Sequence, residues 1–212
     1  MVIGSKVSSK RYIWLRVPRT ATKAYGQLFF PDGNYEHTHN NYFYEVINNK
    51  LGELPAFSVV RNPYTRFTSA IKYAYVKKIE NNATGRFNYY LPVESTDSLA
   101  DFLTDIVDSI VDTDNQTAFK KAFLTTDISF IRQMFRRQID FVGFDQVANF
   151  RYENLSEYNS WIETNLGYDT STVTKFNGTG DALSHIDFSD TKIKTVVKKL
   201  FAEDFTKFNY KI

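Results

Sequence analysis

The sequence predicts an α/β fold with a mainly parallel sheet, and three observations lead to this prediction. Two compact apolar runs, "RYIWLRV" (11–17) and "LPAFSVV" (54–60), have the length and composition of buried strands. Each run is followed by a short turn with a basic residue and a proline, and then by a segment with helical spacing. Alternation of strand, loop and helix along the chain is typical of parallel α/β proteins.

Each further element is predicted from apolar spacing and from its cap residues. Pro63 lies in a first helical turn, Ser95 or Asp97 can cap the helix that follows, and Gly167 ends another. In chain order, we predict a strand over 11–17, helices over 22–30 and 40–52, a strand over 54–60, helices over 63–79 and 95–112, one or two strands within 139–155, and helices over 156–167 and 189–210.

The composition predicts a single globular domain over 1–212. With 212 residues, 42% of them hydrophobic, the chain is long enough to bury one sizeable core. The aromatic content of 17% is best explained by a core built from rings, with a stacking surface for sugars or bases as the alternative.

Charge and cysteine content limit the possible partners. A net charge of +2 gives no overall indication of nucleic-acid binding, so we expect no nucleic-acid partner. The absence of cysteine excludes a disulfide scaffold, a thiolate zinc site and a cysteine nucleophile. No run of about 18 apolar residues is present, so we expect a soluble protein without a membrane span.

Cations follow both of the first two predicted strands. Arg19 and Lys23 come after the first, and Arg61 and Arg66 come after the second. Ligands of open parallel sheets bind at the carboxyl ends of strands, and a helix N-terminus there offers free N–H groups to an anion. The sequence therefore predicts a phosphate or sulfate site at this edge of the sheet.

The loop between the first strand and its helix differs from a nucleoside triphosphate loop. Thr20 and Thr22 add hydroxyl donors, but no glycine precedes Gly26 and the GxxxxGK[ST] pattern is missing. An ATPase or kinase is therefore disfavoured, and a kinase with a degenerate loop stays an alternative.

The second cluster predicts a second anion site. Ser69 follows Arg61 by eight residues and lies nearly two turns into the helix that begins at Pro63, so it can face back toward the strand end. An arginine fork with a serine hydroxyl suits a phosphate. Two such sites on neighbouring strands predict a ligand that is charged at both ends.

Several segments resemble sulfotransferases that use 3′-phosphoadenosine 5′-phosphosulfate (PAPS). "VPRTATKAY" (17–25) resembles their 5′-phosphosulfate loop, and "VVRNPYTRFTSAIKYAY" (59–75) resembles their 3′-phosphate segment. "FRYENL" (150–155) and "VKKLFAEDFTKFNY" (197–210) are similar to a strand-to-helix step and to the closing helix. The likeness is closest to the carbohydrate branch, including uronyl 2-O-sulfotransferases, and leaves residues 80–130 uncovered.

The resemblance implies a P-loop-like three-layer fold with helices flanking the central sheet, and transfer of a sulfuryl group from PAPS to a hydroxyl, with a carbohydrate as the expected acceptor. It implies binding of the nucleotide, without a metal, by Arg19, Thr20, Ala21, Thr22, Lys23 and Ala24 at the 5′ end and by Arg61 and Ser69 at the 3′ end. Lys175, Asn177 and Gly178 correspond in position to a late loop that closes over the nucleotide.

The first loop departs from the family pattern. Arg19 replaces the lysine of the family, Thr22 replaces a glycine, and Lys23 and Ala24 replace threonine and serine. Arg19 can stabilise charge on the leaving oxygen, and we expect a catalytic role for it. The altered loop motivates the main alternative, a protein that binds a nucleotide or a sulfated glycan without turnover.

The candidate general base lies in "NYEHTHNNY" (34–42). His37 and His39 stand two residues apart and share a face of an extended segment, and the resembled 2-O-sulfotransferases carry a similar HxH there. Glu36 and Glu45 are alternative bases, and two exposed loop histidines or an adventitious metal site are the other interpretation. Without an anchor like that of Golgi relatives, we expect a cytoplasmic bacterial or viral protein; acceptor identity and oligomeric state are not predicted.

Overall fold

The computed structural model describes residues 1–33, 54–80, 91–108, 134–173 and 179–211. The chain groups into two compact units: the sheet unit, Met1–Asn62 with Gln138–Phe176, and the helical unit, Pro63–Arg137 with Asn177–Ile212. The prediction of a single domain stays a prediction.

The sheet unit contains a mostly parallel sheet of four strands. These are β1 (Val2–Gly4), β2 (Arg11–Leu15), β3 (Ala56–Val60) and β4 (Val147–Arg151), which lie side by side in that order. β2, β3 and β4 are parallel, with Leu15 beside Ser58 and Val60 beside Arg151. β1 runs antiparallel to β2. The predicted α/β class and mainly parallel sheet are confirmed, whereas β1 was not predicted.

The described helices agree with most predictions. They are α1 (Thr22–Phe29), α2 (Pro63–Glu80), α3 (Thr96–Asp108), α4 (Ile139–Val142), α5 (Leu155–Leu166), α6 (Thr191–Leu200) and α7 (Ala202–Lys207), with 3₁₀ turns at Tyr152–Asn154 and Thr170–Thr172. Ser95 caps α3, because its hydroxyl accepts the N–H of Ser98 at 3.1 Å. The predicted helix over 40–52 lies outside the described residues.

The prediction of one or two strands within 139–155 is confirmed by β4, and Ile139–Val142 forms a helical turn that was not predicted. Two element predictions are wrong in detail. β2 ends at Leu15, two residues before the predicted end. The predicted helix over 189–210 is interrupted at Phe201, which has φ −120° and ψ 26° and separates α6 from α7. Phe201 and Phe205 are both buried in the core of the helical unit.

Aromatic rings build the core of the sheet unit on one face of the sheet. Phe57 of β3 is fully buried, with its ring centroid 4.8 Å from Trp161, 6.2 Å from Phe29 and 6.2 Å from Tyr158. α1 and α5 supply these partners, so the rings hold both helices against the strands. Edge-to-face and tilted ring pairs add about 0.5–1.5 kcal/mol each beyond their buried area. The aromatic-core interpretation is thereby confirmed for this unit.

The other face of the central strands is also buried. Ile13, Leu15 and Ser58 have almost no exposed surface, and the Ser58 hydroxyl is satisfied because it donates to the Leu15 carbonyl at 2.8 Å. Strands that are buried on both faces are typical of parallel sheets in layered α/β proteins. The sheet is thus compatible with the expected three-layer architecture.

Gly167 ends α5 beneath the connection between β1 and β2. Its φ of 71° is left-handed, and its N–H donates to the Ile162 and Glu163 carbonyls. The connection rests on this helix end, where the Lys6 N–H donates to the Leu166 carbonyl at 2.8 Å. A Cβ at position 167 would lie 2.5 Å from Cγ1 of Val7.

We expect Gly167→Ala to destabilise the protein more than Gly33→Ala does. Both glycines have a φ near +70°, but a Cβ at position 33 meets nothing within 4 Å. The left-handed backbone should therefore cost about 1–2 kcal/mol in both variants, and overpacking against Val7 should add about 1–3 kcal/mol at position 167. Urea unfolding measures the difference in the free energy of unfolding. Equal decreases in both variants would show that the β1–β2 connection does not pack tightly against Gly167.

Candidate functional site

The carboxyl ends of β2 and β3 meet at one edge of the sheet. Nη1 of Arg61, just after β3, donates a hydrogen bond to the carbonyl of Arg19, in the loop after β2, at 3.3 Å. The structure therefore brings the Arg61 side chain against the loop that contains Arg19. The strand-end site is defined here as residues 19–23 together with Arg61.

The loop of the strand-end site holds two residues in the left-handed conformation without glycine. Arg19 has φ 67° and Ala21 has φ 63°, and Thr20 between them does not have a positive φ. Each left-handed non-glycine residue costs about 1–2 kcal/mol. Alternating backbone conformations of this kind turn successive N–H groups toward one side, which forms a concavity for an anion.

Thr20 closes this loop with its side chain. The residue is 1% exposed, and its hydroxyl donates to the Val17 carbonyl at 2.8 Å. The sequence predicts a hydroxyl donor for an anion here, but the buried Thr20 hydroxyl donates its hydrogen bond within the loop instead. A contribution of Thr20 to binding would therefore come from its backbone N–H.

The amino end of α1 has no compensating side chain. Ala21 occupies the N-cap position without a capping hydrogen bond, and the first turn contains no acidic residue. Within the described part of the chain, no acceptor takes the backbone N–H of Thr20, Ala21 or Thr22. A helix N-terminus without a cap has the positive end of the dipole and the donors that anions bind.

The amino end of α6, in contrast, is capped by a carboxylate. At α6, the Asp190 carboxylate accepts the N–H groups of Lys192 at 2.8 Å and Ile193 at 3.3 Å. A carboxylate cap therefore neutralises the amino end of α6, whereas that of α1 has no such cap. The amino end of α1, which also has no acidic residue in its first turn, can therefore take an external anion.

Side chains around the loop have different surroundings. Lys23 is exposed on the first turn of α1, while Ala24 is buried and its N–H donates to the Ala21 carbonyl at 3.0 Å. The Ala24 N–H is therefore already hydrogen-bonded within the helix.

The half-buried guanidinium of Arg61 lies over the Tyr152 ring, 4.4 Å from its centroid.

The Arg61 backbone is held by a residue that the sequence did not indicate. Oε1 of Gln138 accepts the Arg61 N–H, and Nε2 of Gln138 donates to the Arg61 carbonyl, both at 2.8 Å. Next to it, Oε1 of Glu153 accepts the Asn62 N–H at 2.9 Å. No sequence pattern connects Gln138 with a strand end that lies 77 residues earlier.

Arg66 differs from its prediction. It is 2% exposed within the helical unit, and its guanidinium donates to the carbonyls of Met134, at 3.1 Å, and Arg136. Its side chain therefore forms hydrogen bonds with backbone carbonyls inside the helical unit and is not presented to an anion. Ser69 lies on α2, which also belongs to the helical unit, and its role at a 3′-phosphate stays a prediction.

The remaining predicted site residues lie outside the described residues. They are Glu36, His37, His39, Glu45, Lys175, Asn177 and Gly178. The third histidine, His185, is described, and its Nε2 lies 2.7 Å from the Val93 carbonyl, which gives it a structural contact.

Tyr25 connects α1 to α5. Its hydroxyl donates to Oδ1 of Asn159 at 2.5 Å, and its ring packs edge-on against Tyr158. Burial, followed by the nearby Tyr152, raises the pKa of Tyr25 from 10.0 to about 12. The neutral hydroxyl is therefore the form that the folded protein favours.

We expect Ala21→Gly to leave the free energy of unfolding unchanged or to raise it by up to about 1 kcal/mol, because glycine adopts the left-handed conformation without a Cβ penalty. Gln27→Gly, at an exposed position of the same helix, should lower it by about 1 kcal/mol. Urea unfolding compares the two variants. A similar loss in both would contradict the left-handed geometry at Ala21.

The contribution of Tyr25 to stability should decrease in alkaline solution. Since the pKa of Tyr25 is higher in the folded than in the unfolded state, its contribution is complete below pH 10 and is lost as the pH rises toward about 12. Tyr25→Phe should show a smaller loss of stability over this range in urea unfolding. Identical pH dependence in both proteins would show that Tyr25 titrates normally.

Among the described residues, no group of three or more His, Asp or Glu side chains is placed to hold a metal ion. None of the described helices is long and apolar enough to cross a membrane. Comparison with known proteins gave no matching family model, no matching curated protein and no matching solved structure.

Proposed function

We propose that the protein is a PAPS-dependent sulfotransferase that transfers a sulfuryl group to an acceptor hydroxyl, with a carbohydrate as the acceptor. One observation carries this proposal. The uncapped amino end of α1, where Thr20, Ala21 and Thr22 have N–H groups without acceptors in the described chain, lies beside the guanidinium of Arg61. Fixed N–H groups, a helix dipole and a cation together favour a phosphate or sulfate ester.

The strand-end site fits the electrostatics of sulfuryl transfer. In this reaction the acceptor oxygen attacks sulfur, the bond between sulfur and the bridging phosphate oxygen breaks, and negative charge develops on that oxygen. Fixed N–H donors and cations aimed at this charge lower the barrier. In the proposal, the N–H groups of the loop and the cations Arg19 and Lys23 supply this stabilisation. An arginine acts there by charge alone, because it does not deprotonate near neutral pH.

In the proposal, Arg61 binds the 3′ end of the nucleotide. A guanidinium carries five N–H donors, so it can serve the Arg19 carbonyl and an anion at the same time. Its stacking on Tyr152 restricts the orientation of the fork. Ser69 and the late-loop residues Lys175, Asn177 and Gly178 remain part of the proposal on the sequence resemblance alone.

Proton removal from the acceptor is assigned to His37 or His39, with Glu36 and Glu45 as alternatives. This assignment also depends on the resemblance. A neutral histidine near the sulfur can take the hydroxyl proton as the new bond to sulfur forms, which gives about 10²–10⁴-fold acceleration.

A second candidate is a binding protein without turnover for the same nucleotide or for a sulfated glycan. Two donors assigned to the 5′ end already form hydrogen bonds within the protein. The Thr20 hydroxyl donates to the Val17 carbonyl, and the Ala24 N–H donates to the Ala21 carbonyl. A site with fewer donors at the sulfuryl end can bind an anion and still stabilise a transition state poorly.

Arg61→Ala tests the binding site. We expect the affinity for adenosine 3′,5′-bisphosphate to fall about 10- to 100-fold in calorimetry, because a charge-assisted hydrogen bond is lost. Arg11→Ala removes an exposed arginine at the other end of β2 and should leave the affinity unchanged. If neither the bisphosphate nor PAPS binds the unaltered protein, the proposal is wrong.

His37→Ala and His39→Ala test the chemistry. With PAPS and a carbohydrate acceptor, the variant that lacks the base should release bisphosphate about 10²–10⁴ times more slowly, while its affinity for the bisphosphate is retained. Thr38→Ala is the matched control within the same segment. Tight binding without any release in the unaltered protein would favour the second candidate.

A further inference from the structure

The side chain of Gln138 is enclosed and makes two directed hydrogen bonds to one residue. It is 0% exposed, and its amide faces the backbone of Arg61. Oε1 accepts the Arg61 N–H, and Nε2 donates to the Arg61 carbonyl, each at 2.8 Å. A single amide therefore satisfies both backbone groups of one residue, as a paired residue of a neighbouring antiparallel strand would.

These bonds lie where β3 leaves the sheet. Its last paired residue is Val60, which lies beside Arg151 of β4, and Arg61 comes immediately after it. Beyond the ladder, Gln138 supplies the two hydrogen bonds that strand pairing supplies within it. The backbone of Arg61 is thus held although the residue lies outside the strand.

A held backbone determines where the guanidinium of Arg61 can go. The direction of the Cα–Cβ bond follows from the backbone, and the allowed rotamers depend on φ and ψ. From this backbone position, the side chain reaches the Arg19 carbonyl at 3.3 Å and the Tyr152 ring at 4.4 Å. Rotation of the Arg61 peptide groups would move both contacts.

We propose that Gln138 is a positioning residue of the strand-end site, which holds the end of β3 so that the Arg61 guanidinium lies against the α1 loop. The consequence for anion affinity rests on the proposed function, because it requires Arg61 to bind the nucleotide. Gln138 itself contacts no ligand in this proposal and acts through the Arg61 backbone.

Gln138→Met is the test variant, since it keeps the length of the side chain and removes both hydrogen bonds. The matched control is Asn149→Leu, which removes another amide that donates to two carbonyls of the sheet unit, those of Val142 at 2.9 Å and Val147 at 3.3 Å. Both variants lose polar contacts, and only Gln138→Met removes hydrogen bonds to Arg61 itself.

The first measurement needs no ligand. NMR-detected hydrogen exchange measures the protection of the Arg61 amide relative to the amides of the central strands. In Gln138→Met, the relative exchange rate of the Arg61 amide should rise about tenfold, because this amide has lost its acceptor. The Arg61 side-chain Nε signal should shift as well. In Asn149→Leu, the Arg61 amide should keep its protection relative to the central strands. Unchanged relative exchange and Nε signal in Gln138→Met would overturn the inference.

The second measurement is calorimetry with adenosine 3′,5′-bisphosphate. Gln138→Met should bind about tenfold more weakly, whereas Asn149→Leu should bind normally. In an Arg61→Ala background, Gln138→Met should still lower the melting temperature but should no longer change the affinity. An equal loss of affinity with and without Arg61 would show a general structural role and overturn the inference.

A conservative variant gives an independent signature. A protonated glutamic acid at position 138 can accept from the Arg61 N–H and donate to its carbonyl, and an ionised one cannot donate. Relative to the unaltered protein at each pH, Gln138→Glu should therefore regain affinity as the pH falls, and Gln138→Met should not. A pH-independent loss in both variants counts against positioning. If the unaltered protein binds no nucleotide, the proposed function fails, and the hydrogen-exchange result alone decides whether Gln138 holds Arg61.

Discussion

Parallel pairing of β2 with β3 is the constraint on which the strand-end site depends. Because Leu15 lies beside Ser58, both strands end at the same edge, and the residues that follow them meet there. Arg61 then reaches the Arg19 carbonyl through a single side chain. An antiparallel arrangement would have placed these two arginines at opposite edges, where no one ligand could contact both. The parallel direction of one strand pair therefore decides whether Arg61 can reach the loop of Arg19.

The loop after β2 is maintained against an energetic cost. Arg19 and Ala21 adopt left-handed conformations that glycine would adopt more easily. The Thr20 hydroxyl closes the loop, and the aromatic core beneath it, with Tyr25 and Phe29 of α1, holds the helix in place. Stability from buried rings therefore offsets the local strain, and the result is a helix N-terminus whose first N–H groups have no acceptor in the described part of the chain.

The two ends of the site are built differently. On the α1 side, backbone donors come from local loop conformation. On the β3 side, the position of Arg61 depends on Gln138, which is distant in sequence, and on the Tyr152 ring beneath its guanidinium. The two sides of the strand-end site are therefore positioned by different means, one by local loop conformation and the other by contacts with distant segments.

The sequence by itself determined the α/β class, most strands and helices, and the presence of cations after β2 and β3, because period, turn residues and charge are local properties. It did not predict the helical turn at 139–142 or the break at Phe201. Only the tertiary structure decided which polar side chains face inward. Thr20 and Arg66 became structural and Gln138 joined the site, because burial and hydrogen-bond partners depend on segments that are far apart along the chain.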